Sequence, residues 1–115
     1  MRAICAGPGN PPVIVDGTGN LAKAAADIIT GAAFDNNLLC ISEKEVFVVD
    51  SVFDAMMAAM ERAGAVRLNS QEIDRLTSQA IVKVGDDNHD AAAKEFIGQD
   101  ASVLAAAAGK QVPGS

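Results

Sequence analysis

The apolar positions along the chain follow two periods. Val13-Ile14-Val15 is a short, unbroken β-branched run, and Glu45-Val46-Phe47-Val48-Val49 is a second extended segment. The first pattern suits a strand buried on both faces, as in a parallel sheet. Between the two runs, Leu21, Ala24, Ala25, Ile28, Ile29 and Ala32 recur at helical spacing, which predicts a helix over 21–33 with Asn20 as its N-cap. After the second strand, Ser51 is placed to cap a helix carrying Val52, Met56, Ala59, Met60 and Ala63 on one face. Methionine at that spacing fills cores. A third helix is expected from Asn69, with Glu72 as its capping-box partner and a narrow stripe of Ile73, Leu76 and Ala80. The polar stretch from Gly85 to Asp90 reads as a solvent-facing loop. A last helix follows Asp100 through Val103 and Leu104 and ends near Gly109, with Pro113 beyond.

The order strand, helix, strand, helix, helix, helix predicts an α/β fold. The two strands are parallel and the first helix crosses between them. Residues 1–115 are expected to form a single domain. Two strands are too few for a sheet buried on both faces, and their edges need covering. The pattern therefore points to an incomplete domain or to an oligomer. At the start of the chain, Ala3-Ile4-Cys5-Ala6 runs into the turn Gly7-Pro8-Gly9-Asn10-Pro11-Pro12, where the backbone is able to approach a neighbouring element or ligand closely. Asp16-Gly17-Thr18-Gly19 is a second turn. Its lone G-x-G lacks the third glycine of a dinucleotide fingerprint.

Composition narrows the function. Half of the 115 residues are hydrophobic, which argues against disorder. The formal net charge is -6 and no lysine or arginine cluster occurs, so neither nucleic acid nor an anionic membrane surface is an expected partner. No apolar run approaches the length needed to span a bilayer, and the N-terminus lacks the long apolar stretch of a signal peptide. These features read as a cytosolic protein. Its two cysteines, Cys5 and Cys40, are then expected to stay reduced and are judged one at a time.

Cys40 follows the polar segment Asp35-Asn36-Asn37, just past a helix and just before a strand, a common place for a reactive group beside a rigid frame. Position alone favours a buried small hydrophobe between Leu39 and Ile41. Cys5, in an apolar run, reads as structural. His89 is the one histidine, within Asp87-Asn88-His89-Asp90. A Cys40–His89 dyad of a cysteine hydrolase is conceivable, but a solvated loop histidine is the favoured reading. One histidine among unspaced aspartates is a weak metal signal, and no metal site is expected. No phosphate-binding loop, metal-spaced Cys/His set or G-x-S-x-G motif is present.

Three segments, in order, carry a resemblance. Ala6-Gly7-Pro8-Gly9-Asn10-Pro11-Pro12-Val13-Ile14-Val15-Asp16, Phe34-Asp35-Asn36-Asn37-Leu38-Leu39-Cys40-Ile41-Ser42-Glu43-Lys44, and Phe96-Ile97-Gly98-Gln99-Asp100-Ala101 with the alanine-rich stretch to Val112-Pro113 are similar to segments of the CoA-acylating aldehyde dehydrogenases of bacterial microcompartments. The resemblance implies a partial aldehyde-dehydrogenase catalytic domain with Cys40 as its nucleophile. In the family the thiolate attacks a short-chain aldehyde, hydride leaves to NAD, and CoA takes the acyl group from the resulting thioester. NAD and CoA are thus the implied cosubstrates, acetaldehyde or propionaldehyde the implied substrate, and a homo-oligomer, in a microcompartment or the cytoplasm, the implied setting. The Cys40 backbone N–H is implied as one oxyanion donor. Ala6 stands where hydrolytic relatives carry the glutamate that activates water, which favours transfer of the thioester to a thiol. The NAD-binding domain is expected before Met1 and is absent from this segment. The chain by itself is therefore expected to be inactive. The alternative reading is a non-catalytic, stand-alone remnant acting as an oligomerising interaction module.

Overall fold

The computed structural model of the protein describes residues 2–3 and 9–112. Cys5, Ala6, the Gly7-Pro8 half of the first turn and Pro113 lie outside the described residues. The chain divides into two compact units, Met1–Ala65 and Val66–Ser115.

In the first unit, β1 (Pro12–Val15) pairs in parallel with β2 (Glu45–Val48), with Val13 opposite Val46 and Ile14 opposite Phe47. Helix α1 (Leu21–Ala33) crosses between them and α2 (Phe53–Arg62) follows β2. The parallel pair with its crossover helix is the α/β arrangement expected from the sequence. The turn into α1 is fixed locally: the Asp16 carboxylate accepts hydrogen bonds from the Thr18 hydroxyl (2.7 Å) and backbone N–H (2.9 Å). These bonds, the hydroxyl first, hold its pKa below the ordinary aspartate value. Asn20 Oδ1 then accepts from Lys23 N–H at 3.0 Å, the predicted cap.

The core consists of Val15, Ala25, Ile28, Met56 and Ala59, ringed by Val13, Leu21, Ala24, Val46, Val48 and Met60. Alternation along a strand puts Val13 and Val15, and Val46 and Val48, on one face of the sheet. Both helices therefore cover that same face. Alanines 24 and 25 let α1 approach closely, and Met56, fully buried, fills the remaining space. The opposite face is open: Ile14 is 78% exposed and its neighbour Phe47 57%. The run Val13–Val15 is thus buried on one face, where its unbroken apolar character predicted two, because no described element of this unit lies on the other side.

Ser51 does not cap α2. It lies in a 3-10 turn, Asp50–Val52, and α2 begins at Phe53 without a side-chain cap. The turn itself occupies the leading amides, since Val52 N–H donates to Val49 C=O at 3.1 Å and Phe53 N–H to Asp50 C=O.

In the second unit, α3 (Ser70–Ala80) opens with the expected capping box: Glu72 N–H donates to Asn69 Oδ1 (3.0 Å) and Asn69 N–H to Glu72 Oε2 (2.7 Å). The expected stripe is only partly the buried side of this helix: Leu76 and Ala80 are half-buried. Ile73 is exposed and Glu72 is buried, its carboxylate also meeting Lys110 Nζ at 3.3 Å. Two polar side chains of α3 instead reach the last turn of α4 (Ala101–Ala107). Arg75 Nε donates to Ala108 C=O and Gln79 Nε2 to Ala107 C=O, both at 2.9 Å, supplying partners to carbonyls that the helix end leaves open. Gly109, at φ +85°, ends α4 as expected: Lys110 N–H returns to Ala105 C=O and Gly109 N–H to Ala106 C=O.

The segment read as a solvent-facing loop, Gly85 to Asp90, is exposed and supplies the turn and the first two residues of the second strand of a hairpin. Strand β3 (Ile81–Val84) pairs antiparallel with β4 (His89–Ala92), and Gly85 and Asn88 take positive φ in the turn between them. Lys83 and Asp90, directly opposite, form an ion pair at 2.8 Å. The sequence of β4, His-Asp-Ala-Ala, carries no β-branched or large apolar residue, so its pairing leaves no periodic signal.

Candidate active site

Cys40 sits in the connection between α1 and β2 and is exposed as a free thiol. It is not the buried small hydrophobe that its apolar neighbours favoured, because those neighbours are themselves exposed: Leu38, Leu39 and Ile41 (76%) all face outward. The connection enters the sheet at the start of β2, so Cys40 lies beside the N-terminal ends of the two strands rather than their carboxyl ends.

The loop's geometry begins at the end of α1. Asp35, Asn36 and Asn37 take φ of 50°, 50° and 59°, three successive left-handed residues. Aspartate and asparagine tolerate this region better than other residues with a Cβ. The chain thereby turns sharply off the helix and projects Leu38 to Ile41. Asn37 Nδ2 donates to Ala32 C=O (2.6 Å) and to Glu43 C=O (3.1 Å), joining the helix end to the far side of the loop. Lys44 Nζ donates to Asn37 Oδ1, to Leu39 C=O (3.2 Å) and to Ser42 C=O (3.4 Å). Ser42, buried, closes a tight turn by donating its N–H to Leu39 C=O at 3.1 Å. Among the described residues, no backbone acceptor takes the Cys40 N–H.

Two of the three sequence segments meet here. Gly9 packs directly on Cys40: a Cβ at Gly9 would lie 2.4 Å from the Cys40 carbonyl oxygen. Lys44 N–H donates to Pro11 C=O at 3.4 Å and Asn10 Nδ2 to Glu45 Oε1 at 3.1 Å, so the glycine-proline segment runs alongside the segment that carries Cys40. Gly31 of α1 performs a similar service for Glu43, whose carboxylate occupies the space a Cβ would need. Sequence reading did not single out Lys44, Asn37 or Gly31. The one available signal was their placement at or beside the ends of the loop that carries Cys40.

His89 belongs to the second unit, at the start of β4, and its Nδ1 is engaged with Asp87 Oδ1 at 2.7 Å. That contact holds the Asp87 carboxyl below the usual aspartate pKa. A shallow depression at the start of α3, lined by Arg67, Leu68, Ser70, Ile73 and Lys110, is set against Glu72, and Lys110 is already spent on that carboxylate and on Arg67 C=O. Among the described residues, no group of three or more His, Cys, Asp or Glu side chains is placed to hold a metal ion, and no helix is long and apolar enough to cross a membrane.

No family model matches the chain. Individual proteins do. The acetaldehyde dehydrogenase (acetylating) of Escherichia coli is 43% identical over 112 residues, 97% of this chain and 24% of that protein. The propanal dehydrogenase (CoA-propanoylating) of Citrobacter freundii is 46% identical over 112 residues, 97% of this chain and 23% of its own length. A propionaldehyde dehydrogenase from the Clostridium phytofermentans fucose utilisation microcompartment superposes with a TM-score of 0.81 at 38% identity, covering 97% of this chain and 25% of the other. The Rhodopseudomonas palustris propionaldehyde dehydrogenase, solved with bound CoA and an acylated cysteine, superposes at 0.80 with 32% identity, over 94% of this chain and 24% of that one. The chain spans about a quarter of the length of the curated relatives it matches.

Proposed function

We propose that this chain, a homologue of the CoA-acylating aldehyde dehydrogenases over about a quarter of their length, carries the nucleophile of such an enzyme at Cys40. The observation that carries the reading is the exposure of Cys40 on a built loop, within a segment that matches acylating relatives along nearly all of its length. In this reading the Cys40 thiolate adds to the carbonyl carbon of a short-chain aldehyde, and its backbone N–H donates to the oxygen that gains charge. The thiohemiacetal loses a hydride to NAD and a proton to solvent, leaving a thioester on Cys40. The Cys40 thioester then passes its acyl group to the thiol of CoA: a new S–C bond forms, the Cys40 S–C bond breaks, and the thiol proton is passed on as the free cysteine is regenerated. Acetaldehyde and propionaldehyde both suit the reading, since relatives named for each match the chain comparably. NAD and CoA serve as cosubstrates, and a bacterial microcompartment is the setting suggested by the named neighbours. The open outer face of the β1–β2 sheet, with Ile14 and Phe47, suits a sheet that is continued and covered in the assembled enzyme.

The test is aldehyde- and CoA-dependent reduction of NAD by the polypeptide purified from its source, alongside variants. Cys40→Ala is expected to abolish acyl-CoA formation and His89→Ala to leave it unchanged. Acyl-CoA formation that survives Cys40→Ala, or a thioesterase activity lost in His89→Ala, would overturn the reading in favour of other chemistry.

A further inference from the structure

We propose that Lys44, seated on Asn37, is a positioning residue that aims the Cys40 backbone N–H as an oxyanion donor. The inference rests on Cys40 being the nucleophile. The ammonium of Lys44 has three N–H donors, and the structure gives it three acceptors: Asn37 Oδ1, Leu39 C=O and Ser42 C=O. The Leu39 carbonyl is one end of the peptide unit whose other end is the Cys40 N–H. A trans peptide is planar, with C=O and N–H pointing in opposite directions. Fixing the Leu39 oxygen on Lys44 therefore fixes the direction of the Cys40 N–H, away from the ammonium. A cation at that oxygen also polarises the peptide unit and strengthens its N–H as a donor. Asn37 keeps the ammonium in place: its amide nitrogen is anchored on Ala32 and Glu43 carbonyls, so its Oδ1 presents a fixed seat. The neighbouring apolar side chains Leu38, Leu39 and Ile41 are exposed and supply little restraint of their own. Without Lys44, rotation of the Leu39–Cys40 peptide plane is opposed by little else than the Ser42 N–H.

The experiment compares two reactions of the same thiol in the 115-residue chain carrying Cys5→Ser. Acetylation by p-nitrophenyl acetate forms the Cys40 C–S bond, breaks the ester C–O bond and releases p-nitrophenolate, passing through a tetrahedral oxyanion. Alkylation by iodoacetamide displaces iodide and forms no oxyanion. Both are measured on the Cys40 peptide by mass spectrometry, and their rate ratio is compared with that of a small free thiol. The wild-type ratio is expected to exceed the free-thiol ratio. Lys44→Met is expected to lower it about tenfold or more, up to the roughly 10²–10³-fold that one whole oxyanion donor supplies, while alkylation is nearly unchanged. Lys44→Arg, which keeps a cation within reach of Leu39 C=O, is expected to restore most of it. An unchanged ratio in folded Lys44→Met overturns the inference. Should Lys44→Met lose its circular dichroism signal, Lys44→Arg decides: a ratio near wild type supports the proposal, and one at the free-thiol value overturns it. A wild-type ratio no higher than that of a free thiol would instead count against Cys40 as the nucleophile.

Discussion

Gly9→Ala tests whether the glycine-proline segment sets the position of the Cys40 loop. The added Cβ would lie 2.4 Å from the Cys40 carbonyl oxygen and 3.2 Å from its carbonyl carbon. The first distance is about 1 Å inside an ordinary contact, and the atom it meets is backbone, which has no rotamer to change. Neither side yields freely. Pro12 begins the β1 ladder, and Lys44 N–H and Asn10 Nδ2 tie the segment to β2. On the other side, Asn37 and Lys44 clasp both ends of the loop. Overpacking of this kind costs about 1–3 kcal/mol, or a melting point lower by roughly 4–24 °C for a unit of this size. A displacement of about 1 Å at a reacting group slows chemistry by up to ~10²-fold, so the acetylation-to-alkylation ratio of Cys40 should fall along with the melting temperature. Gly19→Ala is the control, since a Cβ there meets nothing within 4 Å. If Gly9→Ala matches wild type in both measurements, the contact between the two segments does not set the position of Cys40.

Among the described residues of the first unit, Met56 is the one large side chain fully buried; Met56→Ala should cost about 2–5 kcal/mol, read as a lower urea midpoint, whereas Met56→Leu should cost less than about 1.5 kcal/mol. Asn69→Ala removes half of the α3 capping box and should destabilise the second unit by about 1 kcal/mol, visible as earlier hydrogen exchange of the first α3 amides. The Asn69 backbone N–H, helped by Lys110, holds the Glu72 carboxyl below its ordinary value. Its contribution is therefore complete above the unfolded value of about 4.3 and is lost as pH falls through the lower folded value. The melting temperature of the second unit should drop on acidification below about pH 4.3, and Glu72→Gln should flatten that dependence; an unaltered slope in Glu72→Gln would show that other carboxylates set it.

What the sequence disclosed follows from how local each signal is. Helix α1 emerged with the predicted limits of 21–33 because an apolar period, the Asn20 cap and the preceding turn all agree. The Asn69–Glu72 box and the Gly109 stop were legible for the same reason: each is written within three or four residues. The β3–β4 hairpin was not, since the pairing of His89-Asp90-Ala91-Ala92 is dictated by its partner strand and by the turn at Gly85–Asn88. The open face of the sheet was legible only as a shortage of strands: Ile14 and Phe47 carry the composition of a two-sided core, and no described element of this unit covers them. At the site, motif resemblance pointed to Cys40, but its surroundings depend on contacts from Gly9 and Lys44, whose roles are defined by backbone oxygens rather than by residue pattern.

Those contacts explain how Cys40 is held on a loop whose apolar side chains, Leu38, Leu39 and Ile41, are exposed. Three consecutive left-handed residues would cost roughly 1–2 kcal/mol each for an ordinary side chain, and the Asp-Asn-Asn composition lowers that cost by local hydrogen bonding. The residual strain is held by the Asn37 amide on Ala32 and Glu43 carbonyls and by the Lys44 ammonium on Leu39 and Ser42 carbonyls. Restraint by polar bonds and restraint by apolar packing fail differently. Truncating Met56 should weaken the whole first unit while leaving the surviving folded molecules with an intact Cys40 geometry. Removing Lys44 should leave the α1–α2 core folded and disturb the Cys40 peptide plane. Both outcomes together would make the loop a device separable from the α/β frame, its conformation held by the clasp rather than by the core.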